Sequence, residues 1–125
     1  MAQWTQKKTG VTVTSNATTL DTATIVEGAS VMWIEVSNLT KAFDTFTVEY
    51  RPHTDATFYT IASIDSDYTT DIAWPVLMCS TDLTALDSDS SGLLSLDVKA
   101  INAVRFKAAS SSVSDTTAAI KWGVR

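Results

Sequence analysis

With 125 residues the chain is long enough for one core and no more, and folding at this size buries roughly two-thirds of the surface that the unfolded chain exposes. Hydrophobic residues at 45% are ordinary for a globular domain, whereas charged residues at 18% fall below the usual share of about a quarter, and Ser and Thr take their place. The net charge of −5 argues against a phosphate-tracking surface, because nucleic-acid binders cluster Lys and Arg.

Residues 1–10 are expected to form an arm ahead of one domain over 11–125. The stretch Ala2-Gln3-Trp4-Thr5-Gln6-Lys7 lacks the apolar centre of a signal peptide, so the chain is expected to be made and used without Sec export. Lys7 and Lys8 are an adjacent basic pair. With Trp4 they read either as a solvated end or as an arm that docks on an acidic neighbour.

Val11 and Val13 alternate with Thr12 and Thr14, and after Asn16-Ala17 the run Thr18 to Val26 continues the pattern, which predicts an early hairpin. Glu27-Gly28-Ala29 breaks it. Val31-Met32-Trp33-Ile34 then sets apolar residues on both faces ahead of Glu35 and Val36, as in a central strand covered on two sides, and Trp33 is assigned to the core together with Trp122. The sequons at Asn16 and Asn38 fall in a Thr-rich chain without an export signal and are read as chance.

Phe46, Val48 and Tyr50 alternate with Thr45, Thr47 and Glu49 until Arg51-Pro52 ends the strand, since proline cannot donate to a ladder. His53-Thr54-Asp55 is the turn of a predicted hairpin whose return strand is Thr57 to Ile64. His53 is the single histidine. A serine-hydrolase site would need a serine on a strained turn, and no Gly-x-Ser-x-Gly occurs, so His53 reads as a solvated turn residue.

From Asp65 to Gly92 the two-residue rhythm fails, and a stretch this long without period is where contact or function is expected. Its apolar island, Ile72 to Cys79, is predicted to be a short buried strand, and Ser80 to Leu86 one helical turn. Trp74 lies in this irregular stretch, as Trp4 lies in the arm, and both are better candidates for contact than the strand tryptophans, with Tyr68 and Tyr59 as companions. Cys79 is the sole cysteine, which excludes an intrachain disulfide and a cysteine-rich zinc site and reads as a small buried hydrophobe. Asp87, Asp89, Ser91 and Gly92 match the start of a calcium loop, yet Val98 stands where the bidentate glutamate belongs. An acidic turn is the simpler reading.

Leu93 to Val98, Val104 to Ala108 and Ala118 to Arg125 alternate again as three terminal strands. About eight short strands with no amphipathic helix predict an all-β fold, an antiparallel two-sheet β-sandwich for which a jelly roll is one arrangement. No apolar run has the roughly 18 residues of a membrane helix, so no membrane partner is expected. The chain lacks a matched acid, base and nucleophile set, so neither catalysis nor a cofactor is expected.

The Met-Ala start, the Thr/Ser/Ala-rich acidic strands, and the closing pattern Ala103-Val104-Arg105-Phe106-Lys107-Ala108 followed by a Ser-rich turn and Ala119 to Arg125 together resemble the small virion proteins of tailed bacteriophages. The closest style is that of head decoration (cement) proteins, over Thr45 to Ile64 and Leu93 to Arg125. The resemblance implies a non-enzymatic structural protein, made in the host cytoplasm, that sits on the capsid surface and stabilises the assembled shell. Its implied partners are the major capsid protein and sister subunits, as a homotrimer. Trp4, Lys7, Lys8, Tyr68 and Trp74 are then the candidate partner-binding residues. The alternative is a carbohydrate-binding or tail-associated sandwich in which Trp74 with Tyr59 or Tyr68 stacks on a glycan.

Overall fold

The computed structural model describes the backbone of residues 4–14, 18–37, 40–65, 67–86, 90–110 and 115–125, and the side chains of these except 4–11, 18–25 and 67. The strands are β1 (Trp4–Val13), β2 (Thr18–Ile25), β3 (Val31–Ser37), β4 (Phe43–Arg51), β5 (Tyr59–Ser63), β6 (Val76–Cys79), β7 (Gly92–Asp97), β8 (Ala103–Ser110) and β9 (Thr116–Val124), with one helical turn, α1 (Asp67–Thr70), between β5 and β6. All pairings are antiparallel, in a five-stranded sheet ordered β1-β9-β3-β7-β6 and a four-stranded sheet ordered β2-β8-β4-β5.

The pairings are nested. β1 lies on β9, β2 on β8, β3 on β7 and β4 on β5, so the chain is a long hairpin folded about the β4–β5 turn and wound into two layers. That is the strand order of a jelly roll, with β6 added at one edge.

Period-two alternation builds the core between the layers. In the five-stranded sheet Met32, Leu96, Val124 and Val76 form one inward row across the ladder, and Ile34, Leu94, Trp122 and Cys79 the next. Across the gap Phe46, Val48 and Phe106 face them, all fully buried. Aromatic contacts run within and between the layers: Phe106 meets Trp122 of the facing sheet edge-on at 5.3 Å between ring centres, and Phe46 stacks on Phe106 of its own sheet at 6.1 Å. Such pairs add about 0.5–1.5 kcal/mol each beyond their buried area.

Several sequence expectations are corrected by this topology. The early hairpin does not form, because β1 and β2 belong to different sheets and pair with β9 and β8. The arm expected over 1–10 does not end where the domain begins: from Trp4 onward the backbone is the edge strand of the larger sheet. β3 is central, between β9 and β7, but only one of its faces is buried; Val31 and Trp33 are half-buried on the outer face and Glu35 is exposed there. Trp33 is therefore not a core residue, and the Lys121 ammonium lies 5.9 Å from its ring centre. The helical turn expected over Ser80 to Leu86 is a plain turn closed by Ala85 N–H on Asp82 C=O, and the helix falls at α1 instead. The β4–β5 hairpin forms as expected.

Candidate functional site

Four connections meet at one end of the sandwich: residues 26–30, 52–58, 71–75 and 98–102. Backbone hydrogen bonds tie three of them together, from Val26 N–H to Asn102 C=O at 2.9 Å, Asn102 N–H to Arg51 C=O at 3.0 Å and Val98 N–H to Ser30 C=O at 3.1 Å. Loops held on a rigid sandwich in this way are the usual carriers of function.

On one side of this end both sheets finish in an edge strand, β5 and β6, and α1 bridges them. The island expected to be a short buried strand does form a strand at its end, with Pro75, Val76 and Cys79 buried, but the rest of it is exposed here. Ile72, Trp74, Leu77 and Met78 are open to solvent, and Tyr59 on β5 adds a fifth exposed apolar side chain. The cause is the shortness and irregularity of β6: a bulge between Val76 and Met78 turns Val76 and Cys79 inward and leaves the two residues between them outside.

Trp74 is 60% exposed yet fixed. Its indole Nε1 donates to Asp97 Oδ2 at 3.2 Å, and its ring meets Tyr50 edge-on at 6.0 Å. Asp97 is held in turn, its Oδ1 accepting from Lys99 N–H at 3.0 Å and its backbone N–H donating to Pro75 C=O at 2.8 Å. A large aromatic already held in one orientation loses little freedom when a partner covers it.

The other sequence candidates are dispersed. Tyr68, on α1, is half-buried against the core and offers little free face. Trp4, Lys7 and Lys8 lie in β1, at the opposite edge of the five-stranded sheet from β6, so they are not gathered with Trp74; Lys7 is the register partner of Lys121 and Trp4 of Val124. Their side chains, the sequons at Asn16 and Asn38, and Asp87 and Asp89 of the acidic turn lie outside the described residues.

The same end also carries a cleft of about 240 Å³ that no single motif announced. Glu27 and Gly28 enter it from the β2–β3 turn, Pro52, His53 and Thr54 from the β4–β5 turn, and Ala100, Ile101 and Asn102 from the β7–β8 turn. Two rim residues have left-handed backbone, Gly28 at φ 86° and Ala100 at φ 61°. For Ala100 this conformation costs about 1–2 kcal/mol, and such outliers gather at ligand-binding turns.

A polar chain supports the cleft from below. Glu49, almost buried on the outer face of the four-stranded sheet, accepts from Arg105 Nε at 2.5 Å and lies 3.6 Å from Lys107 Nζ. Phe58 is flanked by Arg105 and Arg51, whose guanidinium carbons lie 4.4 and 5.2 Å from its ring centre. Arg51 then donates twice to Asn102 Oδ1, at 3.0 and 2.7 Å, and Asn102 Nδ2 donates to Glu27 Oε2 at 3.2 Å. The buried Asn102 amide thus orients the Glu27 carboxylate.

Glu27, His53 and Thr54 are acid, base and hydroxyl types in one cleft. Among the described residues no hydrogen bond links His53 to either of the others, so the relay that activates a nucleophile is not assembled. Among the described residues no group of three or more His, Cys, Asp and Glu is placed to hold a metal ion, and no helix is long and apolar enough to cross a membrane.

Comparison of the chain with protein-family models, with curated proteins and with solved structures finds no match.

Proposed function

We propose that this protein is a non-enzymatic assembly module of a tailed-phage virion, a head decoration protein that docks on the capsid through the side bearing Trp74. The observation that carries the reading is the set of exposed apolar residues Ile72, Trp74, Leu77 and Met78, on the four-residue edge strand and the connection leading into it, which includes a tryptophan that the protein itself holds in place. Exposed apolar residues clustered in the chain suit protein–protein contact, and tryptophan is among the residues that dominate such contacts. The short, bulged edge keeps unpaired strands from adding at random, while its side chains remain available.

The virion setting rests on the resemblance of Thr45 to Ile64 and Leu93 to Arg125 to phage decoration proteins. A jelly roll hosts capsid and lectin domains alike, so the choice of an assembly role is made by the exposed apolar residues and not by the fold. Many copies, each burying a modest area across a junction between capsomers, would stabilise the shell additively.

The test is co-sedimentation with capsids of the phage that encodes the chain. Wild-type protein should pellet with them to saturation, and Trp74→Ala should weaken binding by at least about 30-fold, the effect of a hot-spot residue worth 2 kcal/mol or more. Equal pelleting of both proteins would remove these residues from the account.

A further inference from the structure

We propose that the cleft between the three turns is a second binding site, for one neutral sugar or polyol ring. It goes beyond the assembly reading and stands or falls without it.

The ligand class follows from the charge balance and the shape. Glu27 brings a negative charge to the cleft, where its Oε2 accepts from Asn102 Nδ2, and the Arg51 guanidinium stands behind that amide on Asn102 Oδ1. An anion would meet the Glu27 carboxylate, and a cation would be opposed by the Arg51 guanidinium behind the Asn102 amide. Hydroxyl groups suit what remains: the Glu27 carboxylate accepts, and the exposed His53 imidazole and Thr54 hydroxyl each accept or donate. Pro52 and Ile101 supply apolar surface for the C–H face of a ring.

The size agrees. At about 240 Å³ the cleft lies below the range of drug-sized pockets, roughly 300–1,000 Å³, and fits one small ring better than a chain. Its frame is preformed: Asn102 is 5% exposed and bonded at both ends of its amide, and the backbone of all three turns is stitched by hydrogen bonds. Added side-chain bulk is absent at Gly28, where a Cβ would meet nothing within 4 Å, so the mouth stays open.

The experiment is a titration of the full chain with glucose, galactose, mannose, N-acetylglucosamine and glycerol, read by backbone amide chemical shifts, with ethylammonium and acetate as charged probes. The proposal expects at least one neutral probe to shift Gly28, His53, Thr54 and Ala100 to Asn102 in a saturable way. Glu27→Gln and His53→Ala, both at exposed positions and with unchanged melting temperature, should each weaken that probe by roughly tenfold, the scale of a lost hydrogen bond to a charged or fixed partner. The proposal is overturned if no neutral probe perturbs these amides, if the shifts survive both substitutions, or if only ethylammonium or acetate produces them.

Discussion

The hydroxyl of Tyr50, on the four-stranded sheet, donates to the backbone carbonyl of Asp97, on the five-stranded sheet, at 2.6 Å. One bond therefore joins the layers at the end where the Asp97 carboxylate also holds Trp74. Tyr50 is 2% exposed, and burial, with the Asp97 charge behind it, raises its phenol well above the ordinary value of 10.0. Tyr50→Phe should cost about 1 kcal/mol in denaturant unfolding, the typical net worth of such a bond, and should loosen Trp74, seen as a shift in its fluorescence. An unchanged midpoint would mean that the bond contributes nothing.

The same shift fixes a pH dependence. A phenol whose folded pKa lies above its unfolded value holds its proton more tightly when folded, so the stability it contributes is complete below about pH 10 and declines as the pH rises beyond it. Unfolding free energy of the wild type should fall above pH 10, and Tyr50→Phe should flatten that fall. Parallel curves for the two proteins would assign the alkaline loss to other groups.

Two glycines should respond to alanine for different reasons. Gly28 has open space around an added Cβ but a φ of 86°, so Gly28→Ala should cost about 1–2 kcal/mol from backbone conformation alone. At Gly92 a Cβ would come within 2.6 Å of Leu83 Cδ2 and 3.3 Å of Leu86 Cδ1, and both leucines are buried and cannot swing away. Gly92→Ala should cost about 1–3 kcal/mol by overpacking, and Leu83→Ala should recover part of that loss in the double variant. Simple additivity of the two substitutions would contradict a shared steric origin.

Glu49 is the one buried charged residue among the described residues, and Arg105 and Lys107 converge on it. Removing it leaves two cations on the sheet, but their side chains are 29% and 28% exposed and regain water. Glu49→Ala should therefore cost about 1–2 kcal/mol, less than the 3–5 kcal/mol of a fully buried pair, and the loss should shrink in high salt. A salt-independent loss would point to packing against Phe58 in place of charge.

The elements most legible in the sequence are those whose pattern and turn agree locally. Phe46, Val48 and Tyr50 alternate up to Pro52, and the short turn at His53 leaves the chain little choice but to return along itself. Order is another matter. Alternation at Val11 and Val13 tells which side chains face inward but not which strand lies beside them, and the partners of β1 and β2 come from the far end of the chain. A nested arrangement is set by long-range burial, which a window of ten residues does not contain.

The site was legible only in part. The long aperiodic stretch was expected to carry contact, and Trp74 within it is exposed; the apolar composition of its island pointed the other way, because composition alone does not reveal the bulge that turns Leu77 and Met78 outward. The cleft left no trace. Glu27 and His53 each read as an ordinary turn residue, Asn102 drew no reading, and only the jelly-roll winding brings their three turns together.

The measurement that bears most directly on the proposed assembly role is the mass of the purified protein by light scattering, paired with the number of copies retained on pelleted capsids of the phage proposed to encode it. The account predicts a trimer that saturates the shell at a fixed copy number and a Trp74→Ala variant that stays in the supernatant. A monomer that leaves the capsids bare would contradict it.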